Sequence, residues 1–224
     1  MSDARSQGPT IRVDAVWSGA GFDGPATFHV DGERLVTPPT DDGAPIHVGG
    51  TLFPSLTDHH THLGLTDPAA LFAGGITHAV DLGWIPGVAA SWLTDLPGRP
   101  AVSIAGALIT APGGYPVASG WAPDGAAEEV GGPREGRDAV RRQLMMGASR
   151  IKVALNSDAG ETVDNPTLAA VVEESHAAGL PVVAHVQGAG QTARAIAAGV
   201  DQLAHTPSPS GWTTRSSRRP SAAR

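Results

Sequence analysis

Residues 52–62 read Leu52-Phe53-Pro54-Ser55-Leu56-Thr57-Asp58-His59-His60-Thr61-His62, and this stretch decides the fold. An apolar run over Leu52–Leu56, interrupted by Pro54, predicts the first strand of a sheet and leads into a cluster of histidines. His60 and His62 are two apart, so in extended backbone both point to one face and can grip one ion. A His-x-His pair by itself also arises by chance, and a strand histidine is commonly a hydrogen-bonded core residue. The downstream strands give the pair its meaning.

Ile76–Leu82, Ala101–Ile109, Ile151–Leu155, Leu180–Ala184 and Val200–Ala204 are apolar runs of strand length, and read as strands two to six. Helical patterns separate the later ones. Arg137–Met146 carries Val140, Leu144 and Met145 at helical spacing before Gly147. Asp164-Asn165-Pro166 opens a helix whose stripe is Leu168, Val171 and Val172 and which ends at Gly179; Thr192–Ala198 is closed by Gly199. Strands alternating with helices predict βα units on a parallel sheet, hence an α/β fold. Lys152 falls in strand four, His185 after strand five and His205 after strand six, at the strand ends where such folds bind ligands. Lys152 alone could be a residue snorkelling from a strand end. For all these positions to be incidental, four coincidences are needed.

Upstream, Ile11–Trp17, Ala26–Val30 and Glu33–Val36 are short strand-like runs, with Asp31-Gly32 as a hairpin turn, predicting a small antiparallel β unit over 1–49. The chain has 224 residues, 41% hydrophobic, enough for a core. No apolar run approaches the length of a membrane span, and the first residues lack a signal-peptide core, which predicts a cytoplasmic protein without a membrane partner. A net charge of −7 argues against nucleic acid. With no cysteine, a metal must be held by His, Asp, Glu or a modified side chain. All but one of the 15 basic residues are arginine, and the exception is Lys152.

The segment 52–62 resembles the first-strand Pro-Gly-x-x-Asp-x-His-x-His motif of the amidohydrolase superfamily, metal-dependent hydrolases on a (β/α)8 barrel. Ala111-Pro112-Gly113-Gly114-Tyr115 after strand three is similar to the imidazolonepropionase-like and prolidase-like branch. The resemblance spans about residues 10–205, with 1–49 as part of a small N-terminal β-sandwich and 50–205 as barrel strands one to six. It implies that His60 and His62 hold a buried ion, that Lys152, carboxylated by CO2, bridges two ions, and that His185 and His205 hold the second. It further implies one or two divalent ions, Zn2+ with Mn2+ as an alternative, and a metal-bound hydroxide attacking a C–N bond in a small-molecule substrate. Tyr115 is a candidate substrate contact, and Asp58, His59 and His78 are expected to support the ligands. A phosphotriesterase-like lactonase shares the same ligand layout. A homo-oligomer is compatible with the sequence.

The chain also departs from that pattern. The family's strand-eight Asp, which ligates and carries the proton, has no counterpart after Asp201, so the expectation is an incomplete TIM-type barrel and an impaired or inactive fragment. Residues 206–224 hold four arginines, no acid, and no Leu, Ile, Val, Met or Phe, and so read as a basic, disordered tail. Trp is encoded only by TGG and Thr by ACN, so over Trp212–Arg218 a shifted frame opens with Asp. It continues as Asp-Ala-Leu-Val-Ala where wobble bases are G or C, the start of an amphipathic helix. A frameshift near 206–211, and hence a truncated product, is the expectation.

Overall fold

Every strand pairing from residue 56 onward is parallel, as alternating strands and helices require. The computed structural model describes residues 7–32, 34–37, 44–117 and 119–206. The basic tail, 206–224, and the frameshift reading near 206–211 lie outside that range from residue 207 onward. The chain divides into two compact units between Ser55 and Leu56.

The first unit is one sheet of β1 (Gln7–Trp17), β2 (Phe22–Asp23), β3 (Ala26–Asp31), β4 (Arg34–Val36) and β5 (Ile46–Leu52). β1 pairs antiparallel with β2 and β3, and β3 with β4. The Asp31-Gly32 turn is a hairpin turn: Asp31 pairs with Arg34, and Gly32 has φ +59°, which glycine tolerates freely. β5 lies parallel to β1, with Ile11 opposite Ile46 and Val16 opposite Leu52. This corrects the reading of Leu52–Leu56 as one strand. Leu52 ends β5, and the first strand of the second unit begins at Leu56, because Pro54 between them lacks an N–H for a ladder.

The second unit contains two parallel sheets. One holds β6 (Leu56–Thr61), β7 (Ile76–Asp81) and β8 (Ala101–Ile104). The other runs β10 (Ala127–Glu129), β9 (Leu108–Thr110), β11 (Ile151–Asn156), β12 (Val182–Gln187), β13 (Gln202–Leu203). Helices α1 (Pro68–Ala73), α2 (Pro86–Ser91), α3 (Pro133–Met145), α4 (Asn165–Ala177) and α5 (Gln191–Ala197) connect the strands. α4 starts as its sequence requires: Asp164 accepts a hydrogen bond from Thr167 N at 2.8 Å and Pro166 occupies the first turn.

The third predicted strand, Ala101–Ile109, is broken in two. Ala105 N still bonds to Asp81 O, but Gly106 turns to φ +74° and Ala107 N donates to Gln143 Oε1 of α3 at 3.0 Å. A side chain thus replaces a strand partner, and a Cβ at Gly106 would meet that oxygen at 2.1 Å. The same contact sets the face of α3. Val140 is buried with Gly136, Ala139 and Gln143, whereas Leu144 and Met145, read as part of the apolar stripe, are exposed. Strand five begins at Val182 and extends to Gln187, so His185 lies within it rather than after it. Strand six shrinks to Gln202–Leu203 because the Asp201 carboxylate, at 2.7 Å, takes the Val182 N–H.

β11 and β12 show why the site forms where it does. Ile151, Val153 and Leu155, with Val182, Ala184 and Val186, pack in one apolar cluster with Leu168, Val171 and Val172 of α4. The two-residue period therefore sends Lys152, Asn156 and His185 to the opposite face. There Val80, Leu82, Ala105 and Val183 form a smaller cluster that joins the two sheets.

Candidate metal centre

His60 is the last residue but one of β6 and His62 follows the strand directly, with φ −120° and ψ 93° at the head of a 3-10 turn, Leu63–Leu65. The extended backbone carries both rings inward, 5.5 Å apart. His60 Nδ1 lies 3.0 Å from Ala204 O, and His62 Nδ1 lies 2.9 Å from Gly83 O. A carbonyl only accepts, so both rings donate from Nδ1 and keep a free lone pair on Nε2. A hydrogen bond to the ring nitrogen remote from an ion is how ligating histidines are oriented.

The second pair is held differently. His185 Nδ1 is 3.1 Å from His205 Nε2, and His185 Nε2 is 3.1 Å from Asn156 Nδ2. Asp158 N donates to Asn156 Oδ1 at 3.1 Å, which fixes the amide with its NH2 toward His185. His185 Nε2 therefore accepts, and its Nδ1 proton points at His205. Two nitrogens each about 2.0–2.1 Å from a tetrahedral ion stand roughly 3.3 Å apart, close to the separation seen here. His205 also stacks on His60 with ring centres 5.3 Å apart, so the two pairs form one cluster.

Lys152 completes the cluster. It is 1% exposed, and among the described residues its Nζ has no hydrogen-bond partner. Burial lowers its pKa to about 7. Burial also lowers the pKa of His60 to about 4 and of His185 to about 3, with the Lys152 charge a further cause in both. His62 and His205 are lowered by burial and by Lys152 as well. All four rings are consequently neutral near pH 7, the form that ligates. Among the described residues, no three His, Asp or Glu side chains are grouped as ligands of one ion. His185 and His205 bond to each other, and the fifth donor is a lysine. The donor set nevertheless fits a divalent ion: four neutral imidazoles lie within electrostatic reach of a buried nitrogen that has no hydrogen-bond partner among the described residues.

The loop after β9 forms one wall of this cluster. Tyr115 stacks on His185 with centroids 4.5 Å apart and an 18° interplanar angle. Its hydroxyl accepts the Trp121 indole N–H at 3.1 Å, and Trp121 sits 4.7 Å from the His62 ring. Gly114 makes the approach possible, since a Cβ there would meet Thr110 Oγ1 at 2.4 Å and Glu161 O at 2.5 Å. The structure thus brings His60, His62, Lys152, His185, His205 and Tyr115 together. Asp58 caps the His60 N–H at 2.9 Å and His78 bonds Ser103 Oγ at 2.9 Å, while His59 is exposed. Asn156 is the addition the structure makes to this set, and its sequence signal is its place four residues after Lys152 on the same strand face; Trp121 shares with Tyr115 the Gly113–Gly125 loop that the sequence offers for reading a substrate.

No protein-family model matches the sequence, and no curated protein matches it. Solved structures do. A Xaa-Pro dipeptidase superposes with a TM-score of 0.69 at 22% identity, over 87% of this chain and 60% of that one. The ochratoxinase of A. niger gives 0.70 at 20%, over 88% and 60%. A protein described as an amidohydrolase gives 0.64 at 20%, over 87% and 60%. The fold is that of the amidohydrolase barrels. The chain spans about 60% of the length of these structures, and its second unit is an incomplete barrel of that type.

Proposed function

We propose that this chain carries the metal centre of a divalent-metal-dependent hydrolase that cleaves a C–N bond, in an amide, cyclic amide or peptide-like small molecule, in the cytoplasm. The observation that carries the proposal is Lys152, the only lysine in the sequence, buried with no hydrogen-bond partner among the described residues and close enough to lower the pKa of four histidines. A buried ammonium there would repel a cation, but an amine with a pKa lowered to about 7 is half neutral and can take up CO2. Carboxylation makes it an anionic oxygen donor suited to Zn2+, with Mn2+ as the alternative. His60 and His62 would hold one ion through Nε2, and His185 and His205 the other, with Lys152 between them. When bound, such ions supply Lewis acidity and lower the pKa of water. Tyr115 and Trp121 wall the cluster and would orient the substrate against it. Hydrolysis adds water across the bond, the hydroxyl going to carbon and the proton to nitrogen.

The names of the solved structures that share the fold, a dipeptidase and an amidohydrolase among them, favour amide-type bonds over lactones and phosphotriesters. The test is zinc titration of the dialysed chain in bicarbonate buffer, followed by assays on N-acyl amino acids, dipeptides, lactones and phosphotriesters. Two tightly bound ions with amide cleavage support the proposal. Lactone or phosphotriester cleavage alone replaces the bond class, and absence of stoichiometric zinc overturns the metal centre.

A further inference from the structure

Asp81 is a fully buried carboxylate, and among the described residues no cation acts on it. Only burial and two backbone hydrogen bonds act on it, and burial, the larger effect, raises its pKa to about 6. A carboxylate in such a place is costly unless its oxygens are well used. Here both are. Oδ2 accepts from Leu63 N at 2.8 Å and Oδ1 accepts from Gly83 N at 3.1 Å.

These two donors flank His62. Leu63 is the next residue along the chain, and Gly83 supplies the carbonyl, 2.9 Å away, that takes the proton of the His62 ring. One carboxylate thus fixes the direction in which the backbone leaves His62 and the position of the acceptor that selects its tautomer. The turns it joins cannot drift apart easily. Gly83 stands at φ +149°, and a Cβ there would meet Leu108 Cδ1 at 2.1 Å; a Cβ on Gly64 would meet the Trp84 ring at 2.0 Å. Asp81 also holds its place in the sheet, opposite Thr61 on one side and Ile104 on the other.

We infer that Asp81 is the positioning residue for His62, holding that ring in the Nδ1–H form with Nε2 presented to the cluster. Its value to an ion rests on the proposed metal centre, whereas its hold on the ring does not.

The experiment is a long-range 1H–15N spectrum of the histidine rings in the ion-free 224-residue chain, with the His62 signals assigned through His62→Gln. In the parent chain His62 is a single Nδ1–H tautomer. In Asp81→Asn the carboxamide turns an N–H toward one of the two backbone donors, so His62 becomes a mixture while His60, bonded to Ala204, keeps its tautomer. A folded Asp81→Asn chain with His62 unchanged overturns the inference. If that variant does not fold, Leu63→Pro removes one donor and retains the carboxylate. Proline suits the first position of the turn after an extended His62, and unchanged His62 signals there overturn the inference equally.

Co2+ titration separates the two readings. Asp81→Asn should weaken one ion about 10–100-fold and alter its visible spectrum while sparing the other. Two ions bound equally well by both chains overturn the positioning role. A scrambled His62 in a chain that never binds Co2+ retains the positioning role and removes the metal centre.

Discussion

The two histidine pairs are built on opposite principles. His60 and His62 come from one strand end, and each is anchored to a main-chain carbonyl, Ala204 and Gly83. Their free nitrogens are already the ones an ion needs. His185 and His205 come from separate βα units and are anchored by side chains, each other and Asn156. To hold the proposed ion through Nδ1, His185 would have to give up the proton facing His205 and carry one on Nε2, where Asn156 now offers a donor. The first pair is preformed; the second has to exchange a tautomer and turn an amide. Preorganisation differs within one cluster, and ion binding should be sequential, His60 and His62 first.

The largest expected effect removes what the two pairs share. Lys152→Met should cut zinc affinity more than about 100-fold, since a ligand counts for more than the groups that orient it. It should also raise ion-free stability by about 1–3 kcal/mol, because an unpartnered buried amine is replaced by an apolar chain of similar size. Metal analysis with urea melts in chelator checks both, and a variant that keeps its zinc removes lysine from the site. Gln143→Ala tests whether fold and cluster are separable. It orphans the buried Ala107 N–H and should cost about 2–3 kcal/mol of stability with zinc stoichiometry unchanged.

Acid probes both pairs together. His60 and His185 titrate at about 4 and about 3 in the folded chain but near 6.5 when unfolded, so the unfolded chain takes up protons first. Their contribution to stability is full above pH 6.5 and is lost as pH falls toward 4, at most about 2 kcal/mol for each ring between pH 7.5 and 5. Asp81, raised to about 6, opposes this between its unfolded value of 3.8 and 6. Melts in chelator that do not weaken over this range would contradict the burial of the rings, and His60→Gln should flatten the slope. The smallest effect distinguishes the pairs. Asn156→Asp replaces a donor by an acceptor beside His185 Nε2 and should tighten the second ion about 10-fold while leaving the first alone. Equal changes at both sites would erase the contrast between them.

Much of this site was legible because it depends on periods. His60 and His62 share a face by the strand period, and Lys152 lies opposite Ile151 and Val153 for the same reason. The parts that were not legible depend on contacts distant in sequence. The break at Gly106 needs Gln143, 37 residues on, to take the place of a strand, and no local pattern announces that. β5 carries no strand pattern in the sequence because its residues are largely exposed, with Gly49-Gly50 in its middle. α1 is a different case. Asp67-Pro68 carries both a capping side chain, which accepts from Ala69 N, and a first-turn proline, and that signal was present to be read. Asp81 looks like one more polar residue at a strand end until its two donors are seen to bracket His62.

The carbonyl anchors behind His60 and His62 bear on how this half of the cluster tolerates mutation. A peptide oxygen has no codon of its own, so no point substitution deletes the acceptor at position 204, whatever side chain stands there. Position 83 offers the same acceptor but admits only glycine, owing to its backbone angle and to Leu108 beside it. In a saturation library scored for metal retention, position 204 should accept other small side chains, limited only by its packing against Val80, Leu82, Ala105 and Val183, and position 83 should read as invariant, although both do the same chemical work for their histidines.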